Sequence, residues 1–176
     1  AERRQGVEVR GMAQPDRADL GFVQPGDRVP PRVHPVRQPG DRVPGVAVQG
    51  DRVVLGSGDG YVYCLNVKSG IVNWKIKTGA AVLGSPVIKR DTIFIGGSDH
   101  SFYALNLHSG SIQWKFTGLN GPVVSTPLVY GGMVIFGAWD KHLYALDRQD
   151  GKLVWKWTNG SPVNNFSPAS CIPVAY

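Results

Sequence analysis

Three tryptophans at nearly constant spacing constrain the fold of this chain more than any other feature of its sequence. Trp74, Trp114 and Trp155 lie 40 and 41 residues apart. Three further sets keep the same spacing: Gly70, Gly110 and Gly151; Tyr63, Tyr103 and Tyr144; Leu65, Leu105 and Leu146. A period of about 40 residues is typical of propellers, helical arrays and solenoids. The sequence therefore predicts an architecture built from repeats.

Each repeat has the pattern of strands joined by tight turns. One continuous apolar triplet occurs in each: Val53–Leu55, Ile93–Ile95 and Val134–Phe136. Because successive side chains of a strand point to opposite faces, both faces of these strands must be covered. The last strand of a repeat alternates instead between apolar and polar residues, so one of its faces meets water. The turn before that strand is closed by an Asn or Asp and a Gly, at Asn66 and Gly70, Asn106 and Gly110, and Asp147 and Gly151.

These features predict an all-β fold, a partial β-propeller of four-stranded antiparallel blades. The units fall near residues 45–84, 85–125 and 126–166, and residues 167–176 begin another. A β-sandwich is the alternative, but both of its sheets would alternate throughout because each has one solvated face. Since propellers close with about four to eight blades, we expect this chain to be a portion of a longer protein and to associate through its terminal blades.

Residues 1–44 have a different composition. They contain seven of the 13 prolines and eight of the 11 arginines, but no Lys, Ser, Thr, Asn, Ile, Cys, Trp or Tyr. Such a segment has little to bury against the entropy of ordering its backbone, which predicts disorder. A low-complexity basic arm, a linker and a translation of the wrong reading frame all remain open. No secretory signal is visible, and apolar runs of at most four or five residues predict no transmembrane segment.

One segment of each repeat carries a recognisable motif. Residues Ala145–Trp155 have the form Ala-x-Asp-x-x-x-Gly-x-x-x-Trp, and Cys64–Trp74 and Ala104–Trp114 are close variants. These segments resemble the tryptophan-docking repeat of PQQ-type propellers, and the resemblance covers about residues 45–176. It implies that each tryptophan packs against the neighbouring blade. The structural docking residues implied by the resemblance are Gly70, Trp74, Gly110, Trp114, Gly151 and Trp155.

Quinoprotein dehydrogenases of similar repeat type hold pyrroloquinoline quinone (PQQ) with a calcium ion, a catalytic Asp and, in many members, a vicinal disulfide. That constellation is not recognisable here, because Cys64 and Cys171 lie 107 positions apart and no Glu follows Glu8. Cys64 stands where the other repeats have alanine, which predicts a small core residue. We therefore predict no catalytic residues and no metal ligands. The cofactor-binding residues are undefined, and no cofactor is evident.

Three acids recur in the turn between the second and third strands: Asp59, Asp99 and Asp140. Propeller symmetry would place them in a ring that could bind a cation. A turn aspartate that caps its own turn needs no such role, and we predict capping. Trp139 forms with Asp140 the dipeptide typical of WD repeats, but the other repeats have glycine and serine at its position. This argues against membership of that family.

The histidines and lysines of the repeats define no site. His100, His108 and His142 occupy non-equivalent positions without metal-ligand or triad spacing, so we expect them to be solvated. Four lysines on the wet faces of the last strands protect strand edges or meet acidic partners: Lys75, Lys77, Lys115 and Lys156. The net charge of +6 divides into +2 before residue 45 and +4 after it. Neither part is a concentrated patch, so we predict no clear nucleic-acid binding.

The resemblance implies a non-catalytic PQQ-like propeller that acts as a protein-interaction scaffold. At the level of the repeat, the chain is similar to the propeller lipoproteins of bacterial outer-membrane assembly, which implies a periplasmic or cell-envelope location. The expected partners are other proteins, together with the remaining blades of a longer chain or further copies of this one. The alternative is a fragment of a PQQ-dependent alcohol or sugar dehydrogenase whose active-site blades lie elsewhere, and PQQ with calcium follows only from that alternative. A domain appended to an enzyme such as a kinase or phosphoesterase is a third possibility.

Overall fold

The computed structural model describes residues 45–158, in which the chain forms twelve β-strands and no helix. The strands make three four-stranded antiparallel sheets, each with its strands in sequence order. The predicted fold class, an all-β partial propeller of four-stranded blades, is confirmed. The predictions for residues 1–44, for the partial unit at 167–176 and for Cys171 lie outside the described residues.

Each blade is a meander that runs from an inner strand to an outer one. Blade 1 contains β1 (Val46–Gln49), β2 (Arg52–Gly56), β3 (Tyr61–Asn66) and β4 (Val72–Lys77). Blade 2 contains β5 (Val87–Lys89), β6 (Thr92–Gly96), β7 (Phe102–Asn106) and β8 (Ile112–Phe116). Blade 3 contains β9 (Leu128–Tyr130), β10 (Met133–Gly137), β11 (Leu143–Asp147) and β12 (Leu153–Trp157).

The turns between the third and fourth strands have the predicted chemistry. In blade 1 the Asn66 side-chain oxygen accepts the backbone N–H groups of Lys68 and Ser69 at 3.0 and 3.1 Å. Asn106 and Asp147 accept the corresponding bonds in blades 2 and 3. The glycine that ends each turn has a positive φ of 67 to 73°, a backbone region that side chains with a Cβ seldom enter. The local sequence therefore sets the same turn three times.

A register shift follows in the pairing of the third and fourth strands. In blade 1 it lies between Cys64 and Leu65, and it recurs at the equivalent place in both other blades. Cys64 therefore lies opposite Trp74, and alanines lie opposite the other two docking tryptophans. A small residue in this cross-strand pair leaves room for an indole ring. Cys64 is fully buried, so its predicted role as a small core residue is confirmed.

The hydrophobic core is divided between the two blade interfaces. Side chains of blades 1 and 2 form one cluster, and side chains of blades 2 and 3 form the other. Blade 2 contributes one face of its sheet to each, and its apolar triplet Ile93, Phe94 and Ile95 is fully buried. The alternating outer strand is as predicted in blade 1, where Lys75 and its polar neighbours in β4 are exposed while Trp74 is half-buried. In β12 of blade 3 all five residues are exposed.

Candidate functional site

Trp74 joins blade 1 to blade 2 through two contacts. Its indole N–H donates a 3.0 Å hydrogen bond to the backbone carbonyl of Leu107, and its ring lies against Gly110. A Cβ on Gly110 would come within 2.7 Å of two ring atoms, and Gly110 has a φ of +73°. Both the space and the backbone conformation at Gly110 therefore require glycine.

Trp114 joins blade 2 to blade 3 with the same geometry. Its indole N–H donates a 3.0 Å hydrogen bond to the carbonyl of Arg148, and a Cβ on Gly151 would lie 2.5 Å from the ring. Trp114 is only 9% exposed. The register shift between the third and fourth strands is a β-bulge, which bends the strand pair locally. It occurs in both blades that carry a docked tryptophan, between Cys64 and Leu65 in blade 1 and between Ala104 and Leu105 in blade 2.

The other two predicted docking residues are not brought together. Gly70 has the same backbone conformation, with φ of +67°, but it is exposed and a Cβ on it would have no atom within 4 Å. Trp155 lies at the equivalent position of blade 3 and is 37% exposed. Within the described residues, Trp74 and Trp114 each contact a docking glycine, whereas Gly70 and Trp155 do not contact each other. That these pairs hold the blades together remains a prediction.

The recurrent aspartates each accept a hydrogen bond from the tyrosine four residues later. The Tyr63 hydroxyl donates to Asp59 at 2.6 Å, the Tyr144 hydroxyl donates to Asp140 at 2.6 Å, and Tyr103 makes the equivalent short bond to Asp99. The bond to Asp59, with burial, raises the pKa of Tyr63 to about 12. Sequence reasoning missed these pairs, although the tyrosines and aspartates share the 40-residue period.

Two of these carboxylates also tie consecutive blades together. Asp99 accepts the backbone N–H of Gly79 at 3.1 Å, and Asp140 accepts that of Asn120 at 3.1 Å. Both donors lie in the segment that leads from the preceding blade. Burial tends to raise the pKa of Asp140, but hydrogen bonds from Tyr144 and from backbone N–H groups outweigh it and lower that pKa below 3.8. An ionised carboxylate is therefore stabilised at this blade junction.

The predicted turn capping is confirmed at two of the three aspartates. Asp59 accepts the backbone N–H of Tyr61 at 3.0 Å, and Asp140 accepts that of His142 at 3.1 Å. At Asp99 the second carboxylate oxygen is buried without a hydrogen-bond partner in the described part of the chain. The Lys115 ammonium group lies 3.7 Å from the other oxygen and partly balances its charge.

The His, Cys and Asp side chains of the described residues are spread over separate turns and strands. No cluster of three or more His, Cys, Asp or Glu side chains between residues 45 and 158 is arranged to hold a metal ion. Cys64 is buried opposite Trp74, with no second cysteine described beside it. His108 lies 3.1 Å from Asp91 on the surface, whereas His100 and His142 belong to other turns. These three histidines are not brought together.

The lysines of the outer strands make contacts that the sequence did not reveal. The Lys75 ammonium group lies 4.8 Å from the centroid of the Tyr61 ring, and that of Lys115 lies 5.0 Å from the Tyr103 ring. These are cation–π distances. Each ammonium group thus lies over the ring of a tyrosine on the neighbouring strand, which gives part of the basic surface a packing role.

Comparison with known proteins identifies the repeat type. The model of the family described as outer membrane protein assembly factor BamB matches residues 17–119 and 116–174. No curated protein matches the chain. One similar solved structure is BamB from Moraxella catarrhalis, with 24% identity and a TM-score of 0.56 over 65% of this chain and 35% of that one. The chain therefore spans about a third of the length of that protein.

Two other solved structures share the fold. The computationally designed protein Ika4 has 17% identity and a TM-score of 0.59 over 67% of this chain and 73% of that one. The quinohemoprotein alcohol dehydrogenase ADHIIG from Pseudomonas putida HK5 has 16% identity and a TM-score of 0.57 over 70% of this chain and 26% of that one. At these identities the likeness is one of fold alone.

Proposed function

The chain belongs to the family of the outer membrane protein assembly factor BamB, and from this premise we propose that it is a propeller scaffold that binds other proteins in the cell envelope. The observation that carries the proposal is the family match, which extends over most of the sequence at residues 17–119 and 116–174. The family description points to proteins of outer-membrane assembly as the class of partner. No helix in the described range has the length and apolarity to cross a bilayer.

A non-catalytic role is part of the proposal. The recurrent carboxylates would be the natural candidates for chemistry in a ring of repeats, yet those of Asp99 and Asp140 are occupied by a tyrosine hydroxyl and a backbone N–H of the preceding segment. A carboxylate used in this way stabilises the junction between blades. We propose that the chain needs no cofactor.

Trp139 is the proposed centre of the partner surface. It is 61% exposed at the turn between β10 and β11. Its backbone N–H donates a 2.9 Å bond to the carbonyl of Pro122, which anchors the turn to the segment from the preceding blade. Tryptophans presented on a fixed backbone are common among the residues that dominate binding energy. The partner would cover this indole with apolar side chains of its own.

A capture experiment tests the proposal. The chain is immobilised, incubated with an envelope extract, and the bound proteins are identified by mass spectrometry. We expect proteins of outer-membrane assembly to be recovered, and Trp139→Ala to lower their recovery about tenfold, the effect of losing about 1.4 kcal/mol. Tyr130→Ala is the matched control, since Tyr130 is 56% exposed but precedes the turn at the other end of β10. Equal recovery by both variants would contradict the proposed surface, and capture of no assembly protein would contradict the function.

The dehydrogenase alternative has its own readout. If the chain were part of such an enzyme, the full-length protein that contains it, incubated with PQQ and calcium, would reduce an artificial electron-acceptor dye in the presence of an alcohol or a sugar. We expect no reduction above the rate of the free cofactor. Dye reduction that depends on both cofactor and protein would contradict the scaffold proposal and support the dehydrogenase alternative.

A further inference from the structure

Asn120 lies in the segment that leads from β8 of blade 2 to β9 of blade 3, and Gly121 follows it directly. We propose that this pair is a site of spontaneous covalent modification in the folded chain. Asn120 is converted there to aspartate and isoaspartate, and the junction between blades 2 and 3 is weakened as a result. The site is independent of the scaffold function, because the reaction takes place within the backbone and needs no partner.

The reaction proceeds through a five-membered ring. The backbone nitrogen of Gly121 attacks the side-chain carbonyl carbon of Asn120, a C–N bond forms, and the amide nitrogen of Asn120 leaves as ammonia with the proton of the attacking N–H group. Water then opens the ring at one of its two carbonyl carbons. This gives either aspartate or isoaspartate, in which the main chain runs through the former side chain. No oxidant or reductant is needed, and asparagine is for this reason one of the thermolabile residues of proteins.

The packing of the junction requires the residue that makes Asn120 reactive. A side chain after the asparagine would crowd the closing ring, whereas glycine has no Cβ and leaves its backbone nitrogen accessible. At Gly121 a Cβ would lie 2.7 Å from the backbone nitrogen of Asp140 and 3.0 Å from the carbonyl carbon of Trp139. Glycine is therefore the residue that fits here, and the reactive pair is retained together with the close contact.

The reacting groups of Asn120 are not held by other contacts. Asn120 is exposed and belongs to no strand, and among the described residues neither its amide group nor the N–H group of Gly121 has a hydrogen-bond partner. Asn106 has the opposite environment. A leucine follows it, and its side-chain oxygen accepts the backbone N–H groups of His108 and Ser109 at 2.9 and 3.0 Å. An amide held in this way cannot turn toward the next backbone nitrogen, so Asn106 should stay intact.

The segment around Asn120 is joined to blade 3 at two points. The Asn120 N–H donates to the Asp140 carboxylate at 3.1 Å, and the Pro122 carbonyl accepts the Trp139 N–H at 2.9 Å. Isoaspartate adds one carbon atom to the main chain between these points, and either product places a second negative charge near the largely buried carboxylate of Asp140. Both changes weaken the junction. The junction between blades 1 and 2 has Gly79 as the equivalent donor and cannot undergo the reaction.

Tryptic mapping of the folded 176-residue protein after incubation tests the reaction. Trypsin cuts after Lys115 and Lys141, and the peptide between these cuts contains Asn120 as its only amide side chain. We expect this peptide to gain the mass of one amide-to-acid conversion in mildly alkaline buffer, and to do so more slowly in mildly acidic buffer, where the attacking nitrogen keeps its proton. Asn106, in the preceding tryptic peptide, is the internal control. It should convert at least about tenfold more slowly, a difference of about 1.4 kcal/mol in activation free energy.

Incubation in denaturant separates a site of the folded chain from the reactivity of any unfolded Asn-Gly pair. We expect conversion of Asn120 in both samples, and conversion in denaturant alone would overturn the proposal. Equal rates at Asn120 and Asn106 in the folded chain would also overturn it. Asn120→Gln keeps the backbone N–H that Asp140 accepts, and it should keep its mass because its ring would need a further carbon atom. The second Asn-Gly pair of the sequence, at Asn159, lies outside the described residues and falls in a separate tryptic peptide.

Chemical denaturation of the incubated protein tests the effect on the junction. Fresh wild type and fresh Asn120→Gln should be equally stable, whereas after the same incubation only the wild type should unfold at a lower denaturant concentration. Asn120→Asp carries the new charge without the longer main chain and should show part of that loss. Equal stability of fresh and converted wild type would overturn the proposed weakening. None of these measurements involves a partner, so their failure and failure of the capture experiment are distinguishable.

Discussion

The interface between blades 1 and 2 and the interface between blades 2 and 3 follow one plan with different side chains. Both have a docked tryptophan, a glycine beneath its ring, and an aspartate tied to the preceding segment. The first interface is mainly aliphatic, whereas the second contains three phenylalanines with Trp114 and Tyr144. The docking contacts are thus common to both interfaces, and the core side chains are what differs between them.

The repeat shows where the difference arises. Val62 of the first interface corresponds to Phe102 of the second, and Ile95 corresponds to Phe136. The rings of Phe102 and Phe136 stack across the second interface with centroids 3.9 Å apart and planes 6° apart. Aromatic rings bury more area than aliphatic side chains and gain stacking energy besides. We therefore expect the second interface to be the more stable.

Truncating the core should reveal the largest difference. Phe136→Ala should cost about 3–5 kcal/mol of unfolding free energy. Ile95→Ala at the equivalent position of the first interface should cost less by about 1 kcal/mol, because no ring stacking is lost with it. Chemical denaturation followed by circular dichroism measures both. Equal losses would show that the aromatic rings add nothing to the second interface.

The docking glycines should give the next largest effect. In Gly151→Ala the new Cβ would lie 2.5 Å from the ring of the buried Trp114, and we expect a loss of about 2–4 kcal/mol from overpacking and left-handed strain together. In Gly110→Ala the half-buried Trp74 has more freedom to shift, so the loss should be smaller. Gly70→Ala has the strain without the clash and should cost about 1–2 kcal/mol. Equal unfolding free energies for all three variants at low protein concentration would show that docking contributes nothing.

The next largest loss of unfolding free energy is expected when a tyrosine–aspartate hydrogen bond is removed. Tyr144→Phe removes a donor from Asp140, a carboxylate that is part of the second interface and largely buried. A loss of about 1.5–3 kcal/mol is expected for a hydrogen bond to a buried charge. Tyr63→Phe removes the same bond from the exposed Asp59, which water rehydrates, and should cost about 0.5–1 kcal/mol. Denaturant titrations at neutral pH separate the two, and the reverse order would contradict the assignment.

The pH dependence of stability tests whether the Tyr144 hydroxyl group acts on the Asp140 carboxylate. The pKa of Asp140 in the folded chain is lowered below its ordinary value of 3.8. Its contribution is therefore fully present above that value, and it is lost as the pH falls through the folded pKa. Tyr144→Phe removes one cause of the lowering, so the variant should lose less stability than the wild type between about pH 5 and pH 2. Parallel stability curves for the two proteins would show that this bond does not act on the carboxylate.

The smallest effect is expected in the turns that hold the aspartates. His100 and Lys141 have positive φ values of 59 and 70°, where blade 1 has Gly60. Replacing either with glycine should relieve strain and stabilise the fold by about 0.5–1 kcal/mol, an amount limited by the added freedom of the unfolded chain. Thermal melts should give the same gain for both. If one replacement raised the stability clearly more than the other, the turns would account for part of the difference in stability between the two interfaces.

Much of the fold is predictable from the sequence because its signals are local. The apolar triplet at Ile93–Ile95 predicts a strand covered on both faces, and Asn66 with Gly70 predicts a turn. Each of these features is read within a few neighbouring residues, and three copies at constant spacing strengthen the interpretation.

The contacts between blades are less predictable because they join residues far apart in the chain. The bond from Gly79 to Asp99 depends on where the segment between blades runs, which no local pattern describes. The packing of Lys75 on Tyr61 depends on the strand register. The tyrosine four residues after each aspartate is a sequence signal for the tyrosine–aspartate bond, but it does not indicate the second bond, from the segment of the preceding blade to the aspartate.

Cys64 gives the docking motif a redox consequence. Its thiol is fully buried opposite the indole of Trp74, and a thiol in that position is protected from oxidants and from disulfide exchange for as long as β3 and β4 stay paired. With Cys171 replaced by serine, the rate at which a thiol reagent modifies Cys64 would report how often this strand pair opens. Cys64, which leaves room for the Trp74 ring, would therefore also report the rate at which the first blade opens.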